Sequence, residues 1–394
     1  MLDYDPRDLA QQQTGVPFDL LRRVRVQERV TQVRSGSWFV TRQAEVVPVL
    51  KDVETFRTDL GPLSGLPGVE DVDERELFLS EILEPRHGKM RRLYNACFGP
   101  HRVGRLEPFV EETCRALCRS MLDHDPSDLH GDYALQIPAL VMAEAMGLPA
   151  DAAGRFMGWS YDGTLFQRSS TPGVADGGPP IQGYFTEALS ARRRDPDPPD
   201  DVITFLLTAE IDGAPLDDVE IVTQLQFMVM AGVHTTRSLL THLGHRLLEH
   251  PDLFASVRAD RSLVPALVEE SLRHDSPVPA TSRRLTADAE VGGCPMHKGE
   301  WIEVGVLSAN HDDAVYDEPE AFRLDRPDAR DHLGFGTGPH VCPGATLARL
   351  EACTAVDVLL DHVVRMDKVD GATYPPLPSV LDHRPIPAHL VPVP

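Results

Sequence analysis

Residues 217–249 constrain the architecture of this chain more than any other stretch. They contain no proline, open on Asp217-Asp218 and stop just short of Pro251. Acidic groups favour the positive end of a helix and proline closes one, so the segment reads as a single helix. A helix of that length spans roughly 50 Å at about 1.5 Å per residue. Its middle, Phe227-Met228-Val229-Met230-Ala231-Gly232, is apolar nearly all round. A helix without a polar face belongs in an interior, so the rest of the chain is built around it.

The flanking sequence is mostly helical as well. Residues 105–123 repeat apolar side chains at three- and four-residue spacing. Strand signals are fewer. Gln32-Val33-Arg34 leads through Ser35-Gly36 into Trp38-Phe39-Val40-Thr41, a hairpin pattern, and residues 289–306 carry β-type segments punctuated by Gly292-Gly293 and Lys298-Gly299. Two Pro/Gly-rich interruptions, residues 171–180 and 195–201, read as loops, and the first could be a lid or a plain surface loop. The fold class expected is mainly α with minor β. Nothing resembles a linker, so residues 1–394 are expected to form a single domain.

Composition narrows the function classes. Lys plus Arg number 38 against 61 Asp plus Glu, a net charge of −23. Such a surface repels phosphate backbones and anionic headgroups, so neither nucleic acid nor a membrane surface is an expected partner. The opening Met1-Leu2-Asp3-Tyr4-Asp5 lacks the features of a signal peptide, and no apolar run is long enough to span a bilayer. The expectation is a cytoplasmic protein. The six cysteines form no CxxC pair, and Cys114 and Cys118 read as small core residues.

Cys342 differs through its neighbours. Residues 332–351 read HLGFGTGPHVCPGATLARLE, with three glycines before the cysteine and a helix-forming run after Pro343-Gly344. The thiol therefore stands at a helix N-terminus, where unpaired N–H groups and the dipole favour a thiolate. The glycine-rich loop lets a flat surface approach the backbone closely. The run Phe335-Gly336-x-Gly338-x-His340-x-Cys342-x-Gly344 resembles the haem-binding loop of the cytochrome P450 family, in its bacterial, ferredoxin-dependent form.

The resemblance extends over nearly the whole chain. It implies the family fold, a triangular helical bundle around buried haem b (iron protoporphyrin IX) with a small β-rich region. It implies Cys342 as iron ligand, Phe335 packed near the sulfur, Gly338 and Gly344 shaping the loop, and His340 reaching a propionate. Glu270-Ser271-Leu272-Arg273 resembles the family's ExxR, whose Glu and Arg share one helix face, with Arg326 as the third member. The role implied is folding of the thiolate side. His87 and Arg91, four apart, and Arg283 are implied as further propionate partners, because buried carboxylates require cations. Arg86, Lys89, Arg91, Arg92, Arg102 and Arg105 suggest a docking patch for an acidic ferredoxin, itself reduced by an NAD(P)H-dependent reductase.

Ala231-Gly232-Val233-His234-Thr235-Thr236 resembles the family's oxygen-binding stretch. Gly232 is implied to open a groove for dioxygen and Thr235 to handle protons there. The sequence departs from the pattern at His234, where the family carries an acid. Histidine can relay protons near neutral pH, bind a substrate carboxylate or stand outside the chemistry. The leading function is a haem-thiolate monooxygenase oxidising a small organic molecule. A peroxide-driven or otherwise atypical haem catalyst is the alternative, and a haem sensor a third. Phe227, Met230, Val233, Val278 and Thr281 are the implied pocket lining and suggest an apolar cavity.

Overall fold

The computed structural model describes residues 2, 4–6, 15–60, 69, 72–168, 171, 174, 178–378 and 384–394. In chain order the principal helices are α1 (Phe18–Gln27), α2 (Gln43–Lys51), α3 (Arg86–Cys97), α4 (Pro100–Leu122), α5 (Gln136–Ala145) and α6 (Asp151–Asp162). They continue with α7 (Pro180–Arg194), α8 (Val202–Thr208), α9 (Asp218–Glu249), α10 (Pro251–Ala259), α11 (Val264–His274) and α12 (Ala345–His362).

The long apolar stretch is α9, uninterrupted over its length. Asp217 caps it by accepting from the Glu220 N–H, while the Glu220 carboxylate accepts from the Asp217 N–H, so each end of the box satisfies a backbone donor. Pro251 opens α10 where the expected stop falls. Residues on every side of α9 are buried, and α5, α6, α7, α8, α10, α11 and α12 all pack on it. The stretch expected at 105–123 belongs to α4, which begins earlier because Pro100 occupies a first-turn position that needs no N–H donor.

The principal sheet has five strands: β1 (Val30–Gln32), β2 (Trp38–Val40), β3 (Phe56–Thr58), β4 (Thr281–Leu285) and β5 (Trp301–Val304). Their order is β1-β2-β5-β4-β3, with the expected hairpin pairing Val30 with Val40 and Gln32 with Trp38. Of residues 289–306, Ala289–Val291 and Cys294–Met296 form a separate hairpin turned by Gly292-Gly293, while Val306 starts a short helix instead of continuing β5. Of residues 171–180, 172, 173 and 175–177 lie outside the described residues. Residues 195–200 form the exposed connection between α7 and α8, and the buried Asp201 caps α8 by accepting from the Thr204 N–H. Leu333 belongs to the core under the sheet and Phe335 packs against the helical core, which marks a seam between the two. The thiolate-loop sequence runs through that seam.

Candidate active site

The loop of residues 332–344 is held by backbone bonds that close it on itself. The Cys342 N–H donates to the Phe335 carbonyl at 2.8 Å and the Gly336 N–H to the Leu333 carbonyl at 2.8 Å. Gly338 has a φ of +72°, and a Cβ there would stand 3.1 Å from Lys51 Cα. Glycine is therefore required both by conformation and by the close approach of α2. Below the loop, Glu269 accepts from both Arg349 nitrogens, at 2.6 and 3.0 Å, and lies 3.0 Å from His332 Nε2. The Arg349 guanidinium lies 4.5 Å from the Phe335 ring centroid, fixing that ring against the cavity.

Glu269 was not singled out by the sequence, since a second Glu beside Glu270 looks like an ordinary helix-surface acid. Burial pushes its pKa up, yet the hydrogen bonds from His332 and Arg349 outweigh that and hold it at about 2, against an ordinary 4.5. A depressed carboxyl contributes stability above its unfolded pKa and loses it as the folded pKa is approached. Unfolding measured by denaturant from pH 6 downward is expected to show about 2–3 kcal/mol lost between about pH 4.5 and 2. In Glu269→Gln that segment of the profile flattens.

The ExxR residues and Arg326 converge as one buried cluster. Arg273 donates twice to Glu270, both bonds at 2.8 Å, and Arg326 Nε donates to Glu270 Oε1 at 3.0 Å. Arg273 also reaches the Asn310 and Pro319 carbonyls, and Arg326 the Asp317, Glu318 and Ala321 carbonyls. Asn310 Oδ1 in turn accepts from the Leu333 N–H at 2.7 Å. The cluster thus positions the chain entering the cysteine loop.

Beside the loop lies a cavity of about 310 Å³. Its floor carries Cys342, Gly344, Phe335 and Gly336, and its roof is one face of α9: Phe227, Met228, Ala231, Gly232, Thr235, Thr236 and Leu239. Val278 and Thr281 close the side near β4. Of the expected lining, Met230 and Val233 are corrected. Both are buried in the core and absent from the cavity wall, because they point from the opposite side of α9 from the Phe227-Ala231-Thr235 stripe. His234 also leaves the cavity: its Nε2 lies 3.0 Å from Ser160 Oγ on α6 and its ring meets Phe166 edge-on. The Thr235 hydroxyl is on the wall and donates to the Ala231 carbonyl at 2.7 Å. A Cβ on Gly232 would stand 2.4 Å from Met142 Cε, so a larger residue displaces that side chain.

At one end of the cavity the basic side chains gather. His87 and His340 have ring centroids 4.4 Å apart, and His340 is driven down to about 3 by burial and by His87, Arg283 and Arg91. Burial holds Arg283 down at about 10. His87 Nε2 and Arg283 Nε are buried with no acceptor among the described residues. Unpaired buried donors of this kind call for an anionic partner. On the same loop burial pushes the Cys342 thiol up, opposed by the Gly344 and Ala345 N–H groups, Arg91 and Arg349. The helix terminus and the two arginines do not by themselves outweigh burial at the sulfur, and a cation bound at Sγ would favour the thiolate. A flat iron-bearing macrocycle with two carboxylates meets both demands, so the residues present fit haem.

Two further features revise the reading from sequence. The basic cluster is largely neutralised at home: Arg86 pairs with Glu220, Lys89 with Asp212, and Arg102 and Arg105 both with Asp200. Glu351, one turn beyond Leu347 on α12, lines the cavity, and burial raises its carboxyl to about 8. Nothing in its local sequence marked it. Among the described residues no group of three metal-ligating side chains occurs, and no helix is long and apolar enough to cross a membrane.

Residues 181–365 match the family described as Cytochrome P450. The chain is 34% identical over 362 residues to the erythromycin C-12 hydroxylase of Saccharopolyspora erythraea, covering 89% of this chain and 87% of that one. It is 33% identical over 339 residues to the cyclomarin C epoxidase of Salinispora arenicola, covering 84% of each. The solved structure of cytochrome P450 CYP109Q5 from Chondromyces apiculatus superposes with a TM-score of 0.85 at 30% identity, covering 99% of both chains. With a cysteine loop, a cationic carboxylate cradle and an apolar cavity built on that fold, the chain belongs to the cytochrome P450 family and is a haem-thiolate monooxygenase.

Proposed function

We propose that this enzyme oxidises a bulky, mainly apolar natural product, drawing electrons from a ferredoxin and its NAD(P)H-dependent reductase. The observation that carries the reading is the facing pair of walls: Cys342 and its loop below, and the apolar α9 face with the Thr235 hydroxyl above. Relatives named for a macrolide hydroxylation and a cyclic-peptide epoxidation support a substrate of that kind. Haem bound through Cys342 supplies dioxygen activation and transfer of one oxygen atom. His87, Arg91, Arg283 and His340 hold its carboxylates, and Phe335, Gly338 and Gly344 shape the seat. The apolar wall excludes water and leaves binding to shape and hydrophobic burial.

Thr235 puts a hydroxyl on the cavity wall, where its oxygen is placed to accept from a proton donor. Its bond to the Ala231 carbonyl fixes the hydroxyl's orientation and leaves its oxygen lone pairs toward the cavity. Thr235→Ala is expected to cut product formed per reductant consumed severalfold or more, because the hydroxyl on the cavity wall is lost. His234→Glu is expected to leave that ratio unchanged, because position 234 faces Ser160 rather than the cavity. A rise in the ratio for His234→Glu contradicts this assignment. A peroxide-driven reaction is the second reading, since the family's acid is replaced by His234 and His234 does not reach the cavity. Incubation with ferredoxin, reductase and NAD(P)H, compared with peroxide alone, separates the two. Binding difference spectra across macrolides, cyclic peptides, terpenes and steroids identify the substrate class.

A further inference from the structure

Met142 brings a thioether from α5 to the cavity wall, and the chemistry above does not use it. Helix α5 packs along α9, and the tip of Met142 fills the notch that Gly232 leaves: a Cβ on Gly232 would collide with Met142 Cε. The missing side chain at 232 thus admits the thioether to a wall shared with Thr235. Met142 is shielded from bulk solvent, with only 4% of its surface exposed. Met228, one turn before Gly232, also lines the cavity, whereas Met90, Met121, Met146 and Met230 are buried away from it. Met157 on α6 is half-buried and stands off the wall.

A thioether is soft and polarisable, and a peroxide oxidises it to the sulfoxide. Hydrogen peroxide forms in a monooxygenase whenever two electrons and two protons reach dioxygen and no oxygen atom passes to a substrate. Two features of this chain favour that loss. The family's acid is replaced by His234, and His234 faces Ser160, which leaves no acid of the Ala231–Thr236 stretch on the wall. Peroxide released there meets Met142 before it meets any methionine outside the cavity.

We propose that Met142 is an oxidation site that closes the cavity after unproductive turnover: hydrogen peroxide formed there converts its thioether to the sulfoxide. The proposal rests on the reading that this cavity holds haem and substrate. In the step an S–O bond forms at Sδ and the peroxide O–O bond breaks. The sulfur is oxidised by two electrons and the peroxide reduced by two, and the second oxygen leaves as water with both protons. The unmodified tip already fills the notch at Gly232, so the added oxygen projects into the cavity or drives the tip out of the notch. Either outcome takes room from a ligand and puts an unpaired dipole on an apolar wall.

Peptide masses read the site directly. Ferric holoenzyme is treated with hydrogen peroxide, with and without saturating phenylimidazole, then digested, and each methionine peptide is scored for one added oxygen. Met142 is expected to oxidise about tenfold more slowly when phenylimidazole fills the cavity, and Met157 at the same rate in both samples. Equal Met142 rates in the two samples, or a wall led by Met228, overturn the proposal. Among treated chains that keep their haem absorbance, phenylimidazole is expected to bind about tenfold more weakly once Met142 is oxidised. Met142→Leu, a volume-conserving change, is expected to keep its affinity through the same treatment. An equal loss of affinity in Met142→Leu overturns the proposal, and should that variant not fold, the masses from the parent protein decide. Absence of any phenylimidazole spectral shift in the untreated parent overturns the haem-cavity reading and this proposal with it. A normal shift with Met142 left unoxidised overturns this proposal alone.

Discussion

Cys342→Ser is expected to reduce product formation to the uncatalysed background while leaving the protein folded. The loop is held by the Cys342 backbone N–H to Phe335 and by Gly336 to Leu333, neither of which needs the sulfur. Stability is therefore expected to change by no more than about 1 kcal/mol, as for a near-isosteric replacement. What disappears is the soft, electron-rich ligand that pushes charge toward the iron and favours O–O cleavage. A serine hydroxyl at the same position has neither the acidity nor the polarisability to replace it. The check is twofold: turnover with the reductase chain, and the denaturant midpoint of the same preparation. Loss of turnover with a retained midpoint is the expected pair of results. Retained turnover removes Cys342 from the chemistry.

Glu270→Ala is expected to do the opposite damage, destabilising the fold by about 3–5 kcal/mol, because it strands Arg273 and Arg326 without their shared carboxylate in a fully buried site. The cost is concentrated on the thiolate side, since Arg273 and the Leu333 N–H both depend on Asn310. Haem content per chain is expected to drop together with the unfolding midpoint. Glu270→Gln retains an acceptor and is expected to lose less. If Glu270→Ala keeps both the parent midpoint and the parent haem content, the cluster is not what holds the loop.

Sequence spacing carried much of this account. The position of α9, its cap at Asp217 and its end before Pro251 follow from local chemistry, and so does the turn that places Cys342 at the start of α12. Composition and periodicity act within a few residues, and these features are local. What the sequence did not disclose depends on partners distant along the chain. Glu269 looks exposed until His332 and Arg349 fold onto it. Four members of the basic cluster look free until Asp200, Asp212 and Glu220 arrive from the segment between the end of α7 and the first turn of α9. Met230 and Val233 resemble lining residues because they share an apolar stretch with Phe227. Only the rotation of α9 in its packed bundle decides which of its faces looks into the cavity.

His234 illustrates the same point at the reaction site. Its identity breaks the family pattern, which drew attention to chemistry. Its contact with Ser160 ties α9 to α6, which makes its first role one of packing between elements. In the proposed reading proton handling on the cavity wall falls to Thr235, and the Thr235→Ala and His234→Glu pair tests the two positions separately.

The central claim is that Cys342 presents a thiolate to haem in this cavity. The carbon monoxide difference spectrum of the dithionite-reduced protein tests it most directly. The account predicts the strongly red-shifted absorption band of thiolate-ligated ferrous haem, lost in Cys342→Ser. A band at the position typical of histidine-ligated haem, or a spectrum that Cys342→Ser leaves unchanged, contradicts it.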